Sequence, residues 1–241
     1  KHVMREKPIA RTIAEAAELI RASSEADVRL MIAENYRFLP GVDRAKALMT
    51  SGEIGDLTAI NIRHAGFYRP GGWRRSLERT GGGVFIDGGI HLVDIMVNVG
   101  GFPERVSAQF PNKVHMDVEG EDGIVMMARL PGSVVGSLIY SAATPTDRRD
   151  TWVSITGSKA NLEFDPFGDD IIVSTPEASR TESLESGRDA ALRSMVREFR
   201  DAIAEGREPV MSGSEGLRDL AVVLAAYESA RTGETVAVQA P

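Results

Sequence analysis

Three regimes of apolar spacing follow one another along the chain. In the first, the capping box Thr12-Ile13-Ala14-Glu15 opens an Ala/Leu/Ile-rich stretch that predicts a helix to about residue 23, and the compact apolar run 28–33 has the length of a strand. The loop Asn35-Tyr36-Arg37-Phe38-Leu39-Pro40 follows. A second helix, predicted over 42–50, stops at Gly52, where a left-handed backbone carries no Cβ penalty. This order predicts a parallel strand-helix-strand unit with its leading strand mostly missing. In the second regime the period is two: Thr58, Ile60 and Ile62 alternate with Ala59, Asn61 and Arg63, Val106, Ala108 and Phe110 alternate with Arg105, Ser107 and Gln109, and Ile124, Met126, Ala128 and Leu130 continue the pattern. Turn residues at 130–134 and 157–160 predict antiparallel hairpins, and so a mostly antiparallel sheet of at least five strands over 57–174. The third regime is helical, with Leu192, Met195, Val196, Phe199 and Ile203 on one face of a helix at 190–204 and a second helix at 215–231 apolar around most of its girth. The polar stretch 174–187 reads as a surface loop, and neither repeats nor low-complexity tracts occur.

Chemistry concentrates in residues 81–98. Asp87, His91, Asp94 and Asn98 recur at i, i+4, i+7 and i+11, one stripe on an otherwise apolar helix, where burial is costly unless the groups bond one another or a ligand. An Asp one turn before a His can fix its tautomer and let it work as general acid or base. The competing reading is a solvated helix face. Against that stands the pair Gly88 and Gly89, which costs about 1 kcal/mol each relative to Ala inside a helix and implies a ligand or backbone in close approach. The same stripe could hold a divalent metal, but no second ligand cluster accompanies it, so no metal site is assigned. Lys7 in Glu6-Lys7-Pro8 lies just past a strand's C-terminal end, where open α/β sheets collect ligands; a solvated amine is the alternative. Trp73-Arg74-Arg75 after two glycines offers a stacking surface with a cation beside it, or simply an aromatic plug in a loop. His64 reads as a satisfied histidine at the core edge, and His2 and His115 have no supporting context. No Gly-x-Gly-x-x-Gly after a strand and no P-loop occurs, and the glycines at 81–83 fail that spacing.

Composition narrows the partners. With 42% hydrophobic and 26% charged residues in 241, the chain has material for one large core or two small ones. A formal net charge of −7 supplies no positive field for nucleic acid or an anionic membrane, leaving small molecules and other proteins. Zero cysteines remove disulfides, thiolate metal sites and Cys nucleophiles, and fit a reducing cytoplasm. The chain opens on Lys1 rather than Met, and its first residues read as the end of a strand, which suggests a fragment.

In order, Glu6-Lys7-Pro8, Asn35-Tyr36-Arg37-Phe38 closing on Pro40, Gly52-Glu53-Ile54-Gly55, Trp73-Arg74, then Gly82-Gly83 with Asp87, His91 and Asp94 resemble the glucose-fructose oxidoreductase, inositol dehydrogenase and rhizopine-catabolism (Gfo/Idh/MocA) family. The likeness runs nearly the whole chain, and 227–233 look like the family's closing helix. It implies α/β followed by α+β: residues 1–40 as the end of a dinucleotide-binding Rossmann domain without its glycine fingerprint, and 41–241 as a substrate-binding and oligomerisation domain. That second domain would be an open, mostly antiparallel sheet covered by helices, like the dihydrodipicolinate reductase C-terminal domain. The implied activity is hydride transfer between NAD or NADP and a sugar, cyclitol or related polyol. By the same resemblance Lys7, Asp87 and His91 are catalytic, with Lys7 on the reacting oxygen, His91 exchanging the hydroxyl proton, and Asp87 orienting substrate and imidazole. Glu6, Lys7, Pro8, Asn35, Trp73 and Arg74 border the cofactor, and Tyr36, Arg37, Asp87, His91 and Asp94 meet the substrate. The sheet's open face would join copies into a homo-oligomer, a dimer or tetramer. Two rivals remain: a glycosidase or lyase that retains NAD without net turnover, and a non-catalytic oligomer built on the sheet.

Overall fold

The computed structural model describes residues 1–147, 150–184 and 187–239. Strand β1 (Val3–Glu6), helix α1 (Ile13–Glu25) and strand β2 (Leu30–Ala33) form the opening unit, with β1 and β2 paired in parallel. Thr12 caps α1 by accepting from the Glu15 N–H, while Glu15 reaches back to the Arg11 N–H rather than to Thr12. Helix α2 (Pro40–Thr50) starts on its proline, where the missing N–H is no loss, and ends before Gly52 at φ +74°.

Strand β3 (Leu57–Ala65), the short helix α3 (Leu77–Thr80), helix α4 (Ile90–Gly100), and strands β4 (Arg105–Gln109), β5 (Gly123–Arg129), β6 (Val135–Ser141), β7 (Asp150–Gly157), β8 (Asn161–Phe164), β9 (Asp170–Ser174) and β10 (Ser179–Ser183) come next. Helices α5 (Gly187–Glu205) and α6 (Gly213–Thr232) and strand β11 (Val236–Ala237) close the order. The nine-stranded sheet runs β10-β9-β8-β7-β3-β6-β5-β4-β11. Every pairing in it is antiparallel except β3 with β6. The stretch expected to be a surface loop after 174 instead folds back as β10 on β9, while residues 185 and 186 lie outside the described residues. The hairpin was invisible because its second strand, Ser-Arg-Thr-Glu-Ser, is solvated on nearly all sides and carries no apolar alternation.

Alternation sets the sheet's two faces. Ile60, Ile62, Leu138, Val153, Ile155 and Leu162 are buried under the helices. On the other face Val125, Ile139, Arg63 and Trp152 stand across four adjacent strands in one row, with Val125 and Trp152 exposed. Leu77–Gly100 is apolar and long enough to cross a membrane, yet 78% of that window is buried in the fold, as in a core helix. Helix α6 is apolar on most sides because it packs on α1, α4, β2 and β4 together.

Between α3 and α4 the chain makes a π-helical turn over Phe85–Gly89. A Cβ at Gly88 would lie 1.8 Å from the Tyr140 hydroxyl, and one at Gly89 would lie 2.1 Å from the Phe85 ring. The two glycines therefore make room for the Tyr140 and Phe85 side chains. Gly88→Ala is expected to destabilise by about 1–3 kcal/mol by overpacking. Adding Tyr140→Phe should restore part of the loss in thermal denaturation.

Candidate active site

Lys7 stands at the C-terminal end of β1, where the parallel pair delivers it toward the π-helical turn. Its ammonium donates to the Asp87 backbone carbonyl and lies 3.3 Å from Asp87 Oδ1. Arg74 Nε donates to the other Asp87 oxygen at 3.0 Å. Asp87 is thus gripped by two cations. It makes no bond to His91, contrary to the expectation from i, i+4 spacing. The π-helical turn is the reason: its wider winding rotates Asp87 off the α4 stripe.

His91 has a different partner. Its Nδ1 lies 2.6 and 2.8 Å from the two Glu34 oxygens, and its ring stacks on Tyr36 with centroids 4.1 Å apart and planes at 10°. Glu34 follows β2 directly and caps the short turn Asn35–Phe38 by accepting from the Tyr36 N–H. It is buried, yet its carboxyl is held below the ordinary range: burial alone would raise it, and His91, the Tyr36 N–H and Lys7 together outweigh that. Lys7 also acts electrostatically on Glu34, which couples the Lys7–Asp87 pair to the His91–Glu34 pair. The carboxylate fixes a proton on Nδ1 of the imidazole and leaves Nε2 outside this pair.

Trp73 presents an exposed indole with the Arg74 guanidinium 4.7 Å above its ring. Glu6, Pro8 and Asn35 flank the group in sequence and make no side-chain hydrogen bond to it. Arg37 and Asp94 are not brought to the surface. Asp94 has no exposure, and Arg37 gives Nε and Nη2 to Asp94 Oδ1 and Nη1 to Glu215 and the Val210 carbonyl. These two residues brace the fold behind the site as an internal ion pair through Asp94 Oδ1.

Glu34 escaped the sequence reading. Its signal is an acid at the C-terminal end of an apolar strand, immediately before a turn. An aromatic wall escaped it too. Tyr36 meets Phe167 edge-on at 5.3 Å, Phe167 meets His64, His64 stacks on Tyr140 at 5.3 Å, and the Tyr140 and Tyr68 hydroxyls bond at 2.8 Å. His64 is satisfied by Thr151 at 2.8 Å, and the buried His115 by the Ala142 carbonyl.

The π-helical turn hangs on a second buried acid. Glu121 accepts from the Phe85 N–H at 2.6 Å and from the Tyr227 hydroxyl at 3.0 Å, and the Tyr227 oxygen accepts from the Gly83 and Ile86 N–H groups. Burial pushes the Glu121 carboxyl up to about 7. In the unfolded chain it ionises near the ordinary 4.5, so between these values the folded state holds the extra proton and stability falls as pH rises. Glu121→Gln is expected to flatten that slope and to gain on the order of 1–3 kcal/mol in mildly alkaline buffer, read by denaturant titration across pH.

Residues 42–163 match the GFO/IDH/MocA C-terminal domain. Over 99% of its length the chain is 26% identical to 1,5-anhydro-D-fructose reductase of Ensifer adhaerens, covering 73% of that protein. A shorter likeness, 26% identity across 68% of this chain and 45% of the relative, is to 2,7-anhydro-N-acetylneuraminate hydratase of Escherichia coli. The fold is similar to that of levoglucosan dehydrogenase in complex with NADH and L-sorbose, with a TM-score of 0.92 and 22% identity, covering 100% of this chain and 74% of that one. With half of its residues matched to a domain of that family, the chain belongs to the GFO/IDH/MocA family of NAD(P)-dependent oxidoreductases.

Proposed function

We propose that this protein oxidises a carbinol, or reduces a carbonyl, of a sugar, cyclitol or related polyol, with Lys7, His91 and Asp87 as the working side chains. The observation that carries the reading is the Glu34–His91 pair, on whose carboxylate the Lys7 ammonium acts: a histidine with a fixed tautomer coupled to a cation suited to an alkoxide oxygen. The relative from Ensifer, a sugar reductase by name, supports the same substrate class.

Bound nicotinamide, from NAD or NADP, supplies the hydride acceptor or donor. The exposed Trp73 plate, Arg74, Lys7 and Asn35 fit the nicotinamide end of such a cofactor, with Glu6 and Pro8 framing Lys7. No glycine fingerprint for its pyrophosphate occurs in the 241 residues. In the oxidative direction His91 Nε2 accepts the substrate hydroxyl proton, the Nδ1–H keeps donating to the Glu34 carboxylate, and the Lys7 ammonium donates a hydrogen bond to the oxygen as charge develops. Asp87 keeps Lys7 aimed. The aromatic wall of Tyr36, His64, Phe167 and Tyr140 offers faces for the C–H side of a sugar ring and stands in for the polar contacts expected of Arg37 and Asp94.

We assign residues 1–40 to the end of a dinucleotide-binding domain and 41–241 to a substrate and oligomerisation domain. The open sheet face, with Val125, Met127, Val135 and Trp152 exposed, is the proposed contact for a dimer or tetramer.

The test uses the full product of the gene, assayed with NAD and NADP against a panel of aldoses, polyols and cyclitols. A change in nicotinamide absorbance with at least one of them is expected. Lys7→Ala should lower kcat on the order of a hundredfold. No turnover on the panel, or a Lys7→Ala variant as active as the parent, rejects the reading. The likeness to a hydratase favours one second reading, addition or removal of water with the cofactor retained, which would give product with no net absorbance change.

A further inference from the structure

Behind the site three carboxyl groups are cut off from water: Asp94 is 0% exposed, and Glu34 and Asp219 are 1% exposed. A single buried guanidinium, that of Arg37, lies among them. It spends Nε and Nη2 on Asp94 Oδ1 and Nη1 on Glu215 and the Val210 carbonyl, while Glu215 also accepts from Arg218 on the same helix. Glu34 is taken by His91 and the Tyr36 N–H. Asp94 Oδ2 and Asp219 Oδ1 are left buried with no N–H or O–H to accept from. The two carboxyls come from α4 and α6, helices that pack on each other, and each acts on the other's protonation through charge and a hydrogen bond.

Two desolvated carboxylates in that position repel, and the guanidinium that acts on both, Arg37, already spends its hydrogen bonds on Asp94 Oδ1, Glu215 and the Val210 carbonyl. One proton between them removes a charge and gives both oxygens a partner. We propose that Asp94 and Asp219 share a single proton in the folded protein, and that Asp219 is thereby a positioning residue for the active site. Neutral Asp219 donates to Asp94, Asp94 anchors Arg37, and Arg37 pins the turn that carries Tyr36 onto His91 and Glu34 at its cap. Burial and the facing Asp94 push Asp219 well above its ordinary value, and burial lifts Asp94 to about 6 against the pull of Arg37, so the proton belongs mainly to Asp219. Glu34 adds its field to both acids, which is a further reason for one of them to stay neutral. The effect on turnover rests on the reading of His91 as acid and base; the shared proton does not.

Infrared spectroscopy in heavy water tests the proton directly, in a Glu121→Gln background that removes the other high-titrating buried acid. A protonated-carboxyl C=O band near neutral pH, lost on Asp219→Asn, is expected. A parent without the band, or a band that survives Asp219→Asn, overturns the pair. The positioning role is read from the His91 ring signals by NMR and from turnover. Asp219→Asn still donates, through its amide, and should leave the His91 signals in place and kcat/KM within about twofold, whereas Asp219→Leu should move those signals and lower kcat/KM on the order of tenfold to a hundredfold. Equal effects of Asn and Leu, or none from Leu, overturn the role. If the band and the NMR pattern appear but no sugar is turned over with NAD or NADP, the pair stands and the proposed function falls.

Discussion

Glu34→Gln is expected to lower kcat by about 10²–10⁴-fold while leaving KM within a small factor. Gln keeps the volume and the acceptor for the Tyr36 N–H, so the cap of the turn survives. What it loses is the negative charge that holds the Nδ1 proton and stabilises the imidazolium formed when Nε2 takes a proton. A wrong tautomer puts the proton on Nε2, where a base must be bare. Steady-state kinetics with the best substrate of the panel, followed across pH, should show the loss in kcat on the limb set by the base. A loss in KM alone would mean that Glu34 only shapes the pocket, and that His91 is not the proton acceptor.

The largest stability effect is expected at Arg37. Arg37→Met removes both hydrogen bonds to Asp94 Oδ1 and the charge that makes a buried carboxylate tolerable, at a cost of about 3–5 kcal/mol near neutral pH. For a domain of this size that is a Tm lower by about 10 °C. The sign of the pH dependence follows from Asp94, whose carboxyl stands at about 6 with the guanidinium present and higher without it. In the variant, protonation relieves the unpaired charge at a higher pH than in the parent, so the gap to the parent should widen as pH rises above about 6, narrow as pH falls back toward 6, and level off below it, where both carry the proton. A gap independent of pH would show that lost packing, rather than stranded charge, dominates.

Much of the architecture was legible because burial leaves a period. Ile60 and Ile62 against Asn61 and Arg63 marked β3, and the Thr12 box marked the start of α1 within a residue. The solvated hairpin β9–β10 carried no such period on its second strand and was missed. The site was half legible for a related reason. Lys7, Asp87 and His91 sit at places the sequence singles out, but spacing assumed an uninterrupted α-helix, and the π-helical turn at Phe85–Gly89 reassigned the partner of His91. Glu34 lies 57 residues from His91 in sequence, and no local pattern connects the two. Arg37 and Asp94 were placed at the substrate by the family resemblance, and no local pattern shows that the two bond each other across 57 residues in the interior.

The single parallel pairing in the large sheet has a consequence for how the chain is made. Strand β3 is flanked by β6 and β7, so both of its hydrogen-bonding edges wait for residues synthesised far later. At ordinary elongation speeds of about 5–20 residues per second, the roughly 75 residues between Ala59 and its partner Val135 take several seconds to emerge from the ribosome. Throughout that interval Ile60 and Ile62 are presented on a ribbon with open edges. Nascent chains of this protein should be most prone to clump when arrested before β6, and trigger-factor-like holdases should engage them in that window and release them once β6 and β7 have closed on either side.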